Sequence, residues 1–374
     1  MRILELISSH HWTGPAEHVL ALAEHLAPLG AEVRVACSLK PPGNLPAKIS
    51  QRGLAHQDDL ILYKRKFHPL HEAKDIKTLV GHIKDKRFDI LHSHLSNDHV
   101  LSLIAAGLAR TPVKIVRTVH NSSALSRRPL RGEAFRRTDG IISLGREFAA
   151  KLEKSFDVDP RRIEVIPGAV NASRFAPLAN RAEARRKYGL PEDAFLIGMV
   201  SRIKPGRGHP EMLDAFRVIS ARVPEALLVM IGRGELKAEM EQAVARLGLT
   251  DRIKFLGYID EALPEAAGML DLSVVLAEGS DGSCRAALEA MACGVPVLAA
   301  PVGTLPETIE NDKTGVLMPA FSVRGLAEGA IRLAKNPDVR LEMGRQARRA
   351  VEERFTEERK AEATMKFLDR LMAG

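Results

Sequence analysis

Residues 277–300, AEGSDGSCRAALEAMACGVPVLAA, read as a strand end, a loop, a helix and the next strand. Gly282 and Ser283 let the backbone turn tightly, and the helix that begins near Cys284 aims its free N–H groups and the positive end of its dipole at the loop. An anion is held well at such a place. Asp281 lies in the loop and Glu289 about a turn and a half inside the helix, one carboxylate on each side of the anion position. That spacing, D-x7-E, suits a ligand with a phosphate and many hydroxyls. The same two residues also read as a helix cap and a solvated helix position. Strand, loop, helix and strand in this order form one unit of a parallel α/β sheet, in which ligands bind outside the carboxyl ends of the strands.

The same grammar extends in both directions. Upstream, a strand pattern over 2–8 is followed by the turn Trp12-Thr13-Gly14-Pro15 and an amphipathic helix to about Leu26, and apolar runs recur at 33–38, 89–94, 113–120, 140–144 and 163–166. After a polar stretch at 177–187 the pattern restarts with runs at 195–201, 226–231, 253–258, 272–276, 295–300 and 315–318. Strands alternating with helices imply a parallel sheet covered on both faces. A chain of 374 residues has room for two such domains. The expected fold class is therefore α/β, with two Rossmann-like doubly wound domains facing across a cleft. Pro177, Pro191 and the charged RAEARRKY stretch mark the boundary, so the expected domains are 1–178 and 179–355, with a last helix over 356–374 returning to the N-terminal domain.

Composition narrows the function classes. Hydrophobic residues at 45% and charged residues at 27% are ordinary globular usage, and no apolar run approaches the roughly 18 residues that span a bilayer. The first apolar stretch, in MRILELISSHHW, is too short for a secretory signal. Cys37, Cys284 and Cys293 are odd in number and lack C-x-x-C spacing, which points to a reducing cytoplasm. Residues 1–180 hold 27 Lys and Arg against 18 Asp and Glu, a balance of +9, and the remainder of the chain stands at −1. Lys64, Arg65 and Lys66 form one basic cluster; Arg127, Arg128, Arg131, Arg136 and Arg137 form another. The N-terminal half is expected to draw an anionic partner, by the cytoplasmic face of a membrane or in solution. With aromatics at 4% and none interleaved among the basic residues, nucleic acid is not that partner.

The chain resembles the retaining glycosyltransferases of family 4. Glu289-Ala290-Met291-Ala292-Cys293-Gly294-Val295-Pro296-Val297 matches the second half of that family's E-x7-E signature, and Asp281 stands where the family has the first Glu. Residues 198–208, GMVSRIKPGRG, are similar to G-R-x-x-x-x-K-G, with Arg202 on the Arg and Arg207 on the Lys, and Lys204 as an additional cation. Trp12-Thr13-Gly14-Pro15-Ala16-Glu17 resembles the G-G-A-E turn, with Pro15 for the second Gly. Val165-Ile166-Pro167-Gly168-Ala169-Val170-Asn171 resembles V-I-P-N-G-V-D. Gly303-Thr304-Leu305-Pro306-Glu307 and Thr314-Gly315 fall where the family has G-x-x-E and T-G.

The resemblance implies a GT-B fold and transfer of a sugar from a nucleotide-sugar donor, bound by the C-terminal domain, to an acceptor held by the basic N-terminal one. Arg202, Arg207, Asp281, Glu289 and His120 are the catalytic candidates it implies, and Gly14, Gly282, Ser283, Cys284, Arg285 and Glu289 the donor-binding ones. Lys64, Arg65, Lys66, Arg127 and Arg128 are assigned to an anionic glycolipid or saccharide acceptor, such as a lipopolysaccharide or polysaccharide precursor, with peripheral membrane contact. No resident cofactor or metal is expected. His92-Ser93-His94 with Asp98 and His99 has the pattern of a metal site, because H-x-H puts two imidazoles on one strand face, but no further motif completes a hydrolase site and the resemblance implies an enzyme that needs no bound metal. Competing readings are an epimerase or phosphorylase of the same two-domain plan and a non-catalytic sugar-binding protein.

Overall fold

The apolar runs become two all-parallel sheets. The structure, a computed structural model, describes residues 1–63, 68–126, 130–278, 281–282 and 284–374. In the first sheet the strands are β1 (Arg2–Ile7), β2 (Glu32–Cys37), β3 (Ala55–His56), β4 (Ile90–Ser93), β5 (Lys114–Val119), β6 (Gly140–Ser143) and β7 (Ile163–Val165), in the order β3-β2-β1-β4-β5-β6-β7. The second sheet contains β8 (Phe195–Val200), β9 (Ala226–Ile231), β10 (Ile253–Gly257), β11 (Leu272–Val275), β12 (Val297–Ala299) and β13 (Gly315–Leu317), in the order β10-β9-β8-β11-β12-β13. Each sheet reverses its winding once, between β1 and β4 and between β8 and β11. These switch points are where open α/β sheets bind ligands.

The described residues form two compact units. One comprises Met1–Gly168, Asp281-Gly282 and Glu357–Gly374; the other comprises residues 169–278 and 284–356. Residues 169–178, read from the sequence with the first domain, belong to the second unit. Val170 donates its N–H to the Phe355 carbonyl at 2.9 Å, and Phe175 is buried in the second unit's core. The last helix, Glu357–Ala373, belongs to the first unit and packs on helix Gly14–Leu26.

In the first unit the strand period of two separates two cores. Leu4, Leu6, Leu91 and Ile115 face helices Pro69–Lys84 and Ser96–Ala109, whereas Ile3, Ile90, Val116 and Ile142 pack with Leu22 and Leu26 of helix Gly14–Leu26 and with Phe367 and Leu368 of the last helix. In the second unit Ile197 and Met199 face helices His209–Arg222 and Val323–Lys335, and Leu196 faces Leu270 and helix Arg285–Ala292. No helix among the described residues is long and apolar enough to cross a membrane.

Candidate active site

At the carboxyl ends of β1, β4 and β5 the second of the first unit's sheet faces changes from apolar to charged. Register pairs Glu5 with His92, and the two-residue period carries His94, Thr118 and His120 onto the same face. A carboxylate inside the buried strand RILELI needs partners. Glu5 Oε2 accepts from His92 Nδ1 at 3.0 Å and from His94 Nε2 at 2.5 Å. His92 Nε2 meets Thr118 Oγ1 at 2.8 Å, and His94 Nδ1 meets His120 Nε2 at 2.9 Å. Burial alone would raise the Glu5 pKa, but the two imidazoles outweigh it and hold the carboxyl at about 2. Burial, with the neighbouring His92, pushes His94 down to about 3 against the pull of Glu5. His120 is driven well below the ordinary histidine value by burial, then by His94, His18, Lys360 and Arg117.

His18, on helix Gly14–Leu26, stacks on His120 with ring centroids 5.8 Å apart. Its Nδ1 accepts from Lys360 Nζ at 3.0 Å, and its Nε2 donates to Asp281. Gly282 donates its N–H to the His120 carbonyl. Asp281 and Gly282, expected beside Glu289, thus group with His18 and His120 in the first unit. Gly14 opens the helix that presents His18, behind Thr13, whose Oγ1 caps the N–H of Ala16. Pro15 sits in the first turn, where its missing N–H breaks no helical bond.

The metal pattern resolves differently from its sequence reading. Glu5, His92 and His94 are the described residues whose donor atoms lie near enough to hold an ion, within 4.8 Å of one another. Those atoms are already engaged in the hydrogen bonds above. Asp98 instead accepts from the backbone N–H of His94 and Leu95 at 2.7 and 2.8 Å, at the start of helix Ser96–Ala109, and His99 bonds Thr138 Oγ1 at 2.8 Å.

In the second unit the candidates gather at the ends of β8 and β11. Arg202 is exposed and Arg207 half-buried, with Arg207 Nη1 donating to the Glu278 carbonyl at 3.1 Å. Among the described residues neither guanidinium is paired with a carboxylate. Burial lowers the Arg207 pKa and the charge of Arg202 lowers it further, while Cys284 and Glu278 act the other way. Two like charges and the start of helix Arg285–Ala292 therefore lie within electrostatic reach of one another, an arrangement that favours an anion. The loop is braced by backbone. A Cβ on Gly232, whose φ is +149°, would lie 1.9 Å from the Ser201 carbonyl oxygen, and one on Gly234 2.0 Å from that of Ile203. The G-x-G after β9 was the available signal for this contact, and the sequence reading passed over it.

Glu289 is buried and accepts from Arg285 Nε at 2.7 Å through Oε1; among the described residues no donor reaches Oε2. Cys284 is buried in the core, with Sγ 3.8 Å from the Val302 carbonyl. Ser283, Lys64, Arg65, Lys66, Arg127 and Arg128 lie outside the described residues. Of the second basic cluster, Arg136 and Arg137 share Glu133 at 3.0 and 2.6 Å, and Arg131 Nη1 bonds the Ser126 carbonyl at 2.8 Å.

Two parallel sheets of seven and six strands, each sheathed in helices, define the GT-B class. The chain belongs to glycosyltransferase family 4: residues 12–174 match the Glycosyltransferase Family 4 model and residues 180–350 the model for glycosyl transferases group 1. It is 30% identical over 291 residues to a D-inositol 3-phosphate glycosyltransferase of Streptomyces scabiei, covering 71% of this chain and 64% of that one. The chain thus spans less than two thirds of that relative's length. A UDP-Gal:alpha-D-GlcNAc-diphosphoundecaprenol alpha-1,3-galactosyltransferase of Escherichia coli is 28% identical over 276 residues, 70% of either chain. Among solved structures, Anabaena Alr3699/HepE in complex with UDP superposes with a TM-score of 0.86 at 18% identity, covering 99% of this chain and all of that one.

Proposed function

We propose that the protein is a retaining glycosyltransferase that moves a sugar from a nucleotide-sugar donor to an anionic acceptor, a precursor of an envelope glycolipid or polysaccharide. The observation that carries the reading is the pair Arg202 and Arg207, without carboxylate partners among the described residues, at the carboxyl end of β8 and close to the start of helix Arg285–Ala292. In the reaction the bond from the sugar's anomeric carbon to the diphosphate breaks, the acceptor oxygen bonds that carbon on the same face, and the acceptor's proton passes to the departing diphosphate. Charge grows on the diphosphate as the bond breaks, and the two arginines and the helix start are placed to stabilise it. The names of the Streptomyces and Escherichia relatives both specify a phosphate-bearing acceptor. This agrees with the +9 balance of residues 1–180.

The test is a screen of UDP-, GDP- and ADP-sugars for thermal stabilisation, followed by a transfer assay with lipid-linked sugar diphosphates and phosphorylated polyols, with and without EDTA. Acceptor-dependent transfer that survives chelation, with the anomeric configuration kept, is expected. Conversion of the donor without an acceptor would favour an epimerase, and binding without turnover a sugar-binding protein.

Glu289 is assigned to the donor's ribose, with Oε2 accepting its hydroxyls. Calorimetric titration of Glu289→Ala should then show donor affinity weakened roughly 5- to 150-fold, the effect of losing a buried polar contact of about 1 to 3 kcal/mol. An unchanged dissociation constant would remove Glu289 from the donor site.

A further inference from the structure

We propose that Glu5 and His94 are positioning residues that fix His120 as its Nε2–H tautomer, leaving Nδ1 as a bare acceptor for a hydroxyl-bearing ligand. The argument follows the protons. A carboxylate only accepts, so the two ring nitrogens that meet Glu5, His92 Nδ1 and His94 Nε2, must both carry hydrogen. His94 is neutral, because it is buried beside a second imidazole and a buried arginine. Its other nitrogen, Nδ1, is therefore a lone pair. That lone pair lies 2.9 Å from His120 Nε2, which must donate. His120 is itself neutral in its buried setting, so its single proton is spent on His94 and Nδ1 has none.

Independently of this proton count, His120 is 2% exposed and its Nδ1 has no hydrogen-bond partner among the described residues. Buried polar atoms are nearly always paired, and an exception calls for a cause. The stacked neighbour His18 cannot supply the missing donor, since its nitrogens face Lys360 and Asp281. A group that docks on His120 Nδ1 must bring a proton: a hydroxyl does, and a phosphate, carboxylate or ether oxygen does not. That the ligand is a sugar rests on the glycosyl-transfer reading; the tautomer does not.

Nitrogen-15 NMR of the histidine-labelled full chain at neutral pH reads the tautomers directly. The expected spectrum has His94 and His120 neutral, each protonated at Nε2, with the His120 Nδ1 resonance in the range of an unprotonated nitrogen. In Glu5→Ala the single-tautomer signature of His120 should be lost, because His94 is then free to donate in either direction. Thr118→Val, which removes the partner of His92 on the far side of Glu5, should leave that signature unchanged. His120 protonated at Nδ1 or at both nitrogens in the unsubstituted protein overturns the proposal, as does an unaltered His120 in Glu5→Ala or an equal loss in Thr118→Val. If Glu5→Ala does not fold, the spectrum of the unsubstituted protein still decides. Failure of every nucleotide sugar to bind would sink the transfer reading and leave the tautomer assignment standing.

Discussion

Acidification from about pH 7 to about pH 5 is expected to destabilise the first unit by roughly 4 to 6 kcal/mol, a large share of a domain's usual stability. The cause is its buried neutral histidines. His94 and His99 are held down to about 3 by burial, and His120 also lies well below its ordinary value. In the unfolded chain each takes up a proton below about pH 6.5, whereas the folded protein resists doing so. The unfolded state then binds more protons, and stability falls as pH falls, by up to about 1.4 kcal/mol per pH unit for each histidine. Their contribution is complete above the unfolded value and is lost progressively down to about pH 3. Glu5, at about 2, adds to the loss once the pH drops below the ordinary carboxylate range. Asp75 and Asp98, raised by burial, oppose the loss as the pH falls from their raised values to the ordinary carboxylate value. Thermal melts at a series of pH values measure the effect. His99→Gln, which keeps a partner for Thr138, should flatten the dependence by about one proton. A melting temperature that is flat across this interval would contradict the neutral, buried assignment.

The sheets were legible because a parallel strand buried on both faces is a continuous apolar run, and each such run formed a strand within a residue or two of its expected ends. β3, only Ala55–His56, escaped: a two-residue edge strand has no period to read. The unit boundary was also misplaced, because Pro177 and Pro191 signal a turn in the chain but not which core the preceding residues enter. Val170 and Phe175 are apolar either way, and it is their pairing and packing with Phe355 and its neighbours that assigns them.

The site was legible where chemistry is local. The loop after β8 and the start of helix Arg285–Ala292 are contiguous motifs, and their cations, carboxylate and helix start appear together in the second unit. The histidine cluster is not local. Glu5, His92, His94 and His120 come from three strands or their ends, and only register and packing bring them within hydrogen-bond distance. One signal was present: a glutamate between two leucines in a buried strand had to have partners, and an H-x-H two strands' worth of sequence away was a candidate. Asp281 shows the opposite limit. Its D-x7-E spacing to Glu289 is a fact of sequence, yet the carboxylate meets His18.

The second large effect is expected at Arg207. Arg207→Ala should lower kcat by about 100- to 1,000-fold with little change in KM, the scale seen when one donor to a developing oxyanion is removed. The reason is differential: the diphosphate carries more charge on the leaving oxygen in the transition state than in the bound donor, so a cation beside it assists the former more. Arg207 is half-buried, so its charge acts at a lower effective dielectric than that of exposed Arg202. Arg202→Ala should therefore cost less, on the order of 10-fold. Arg207→Lys keeps a point charge but loses the planar fork, and should recover only part of the rate. Folding is a weak confounder, because the side chain's hydrogen bond in the second unit is to the Glu278 carbonyl and it takes part in no ion pair among the described residues. Melting temperatures of all three variants should stay close to that of the unsubstituted protein, and single-turnover rates should fall as far as kcat does. A rise in KM at constant kcat would instead make the two arginines binding groups that hold donor and transition state alike.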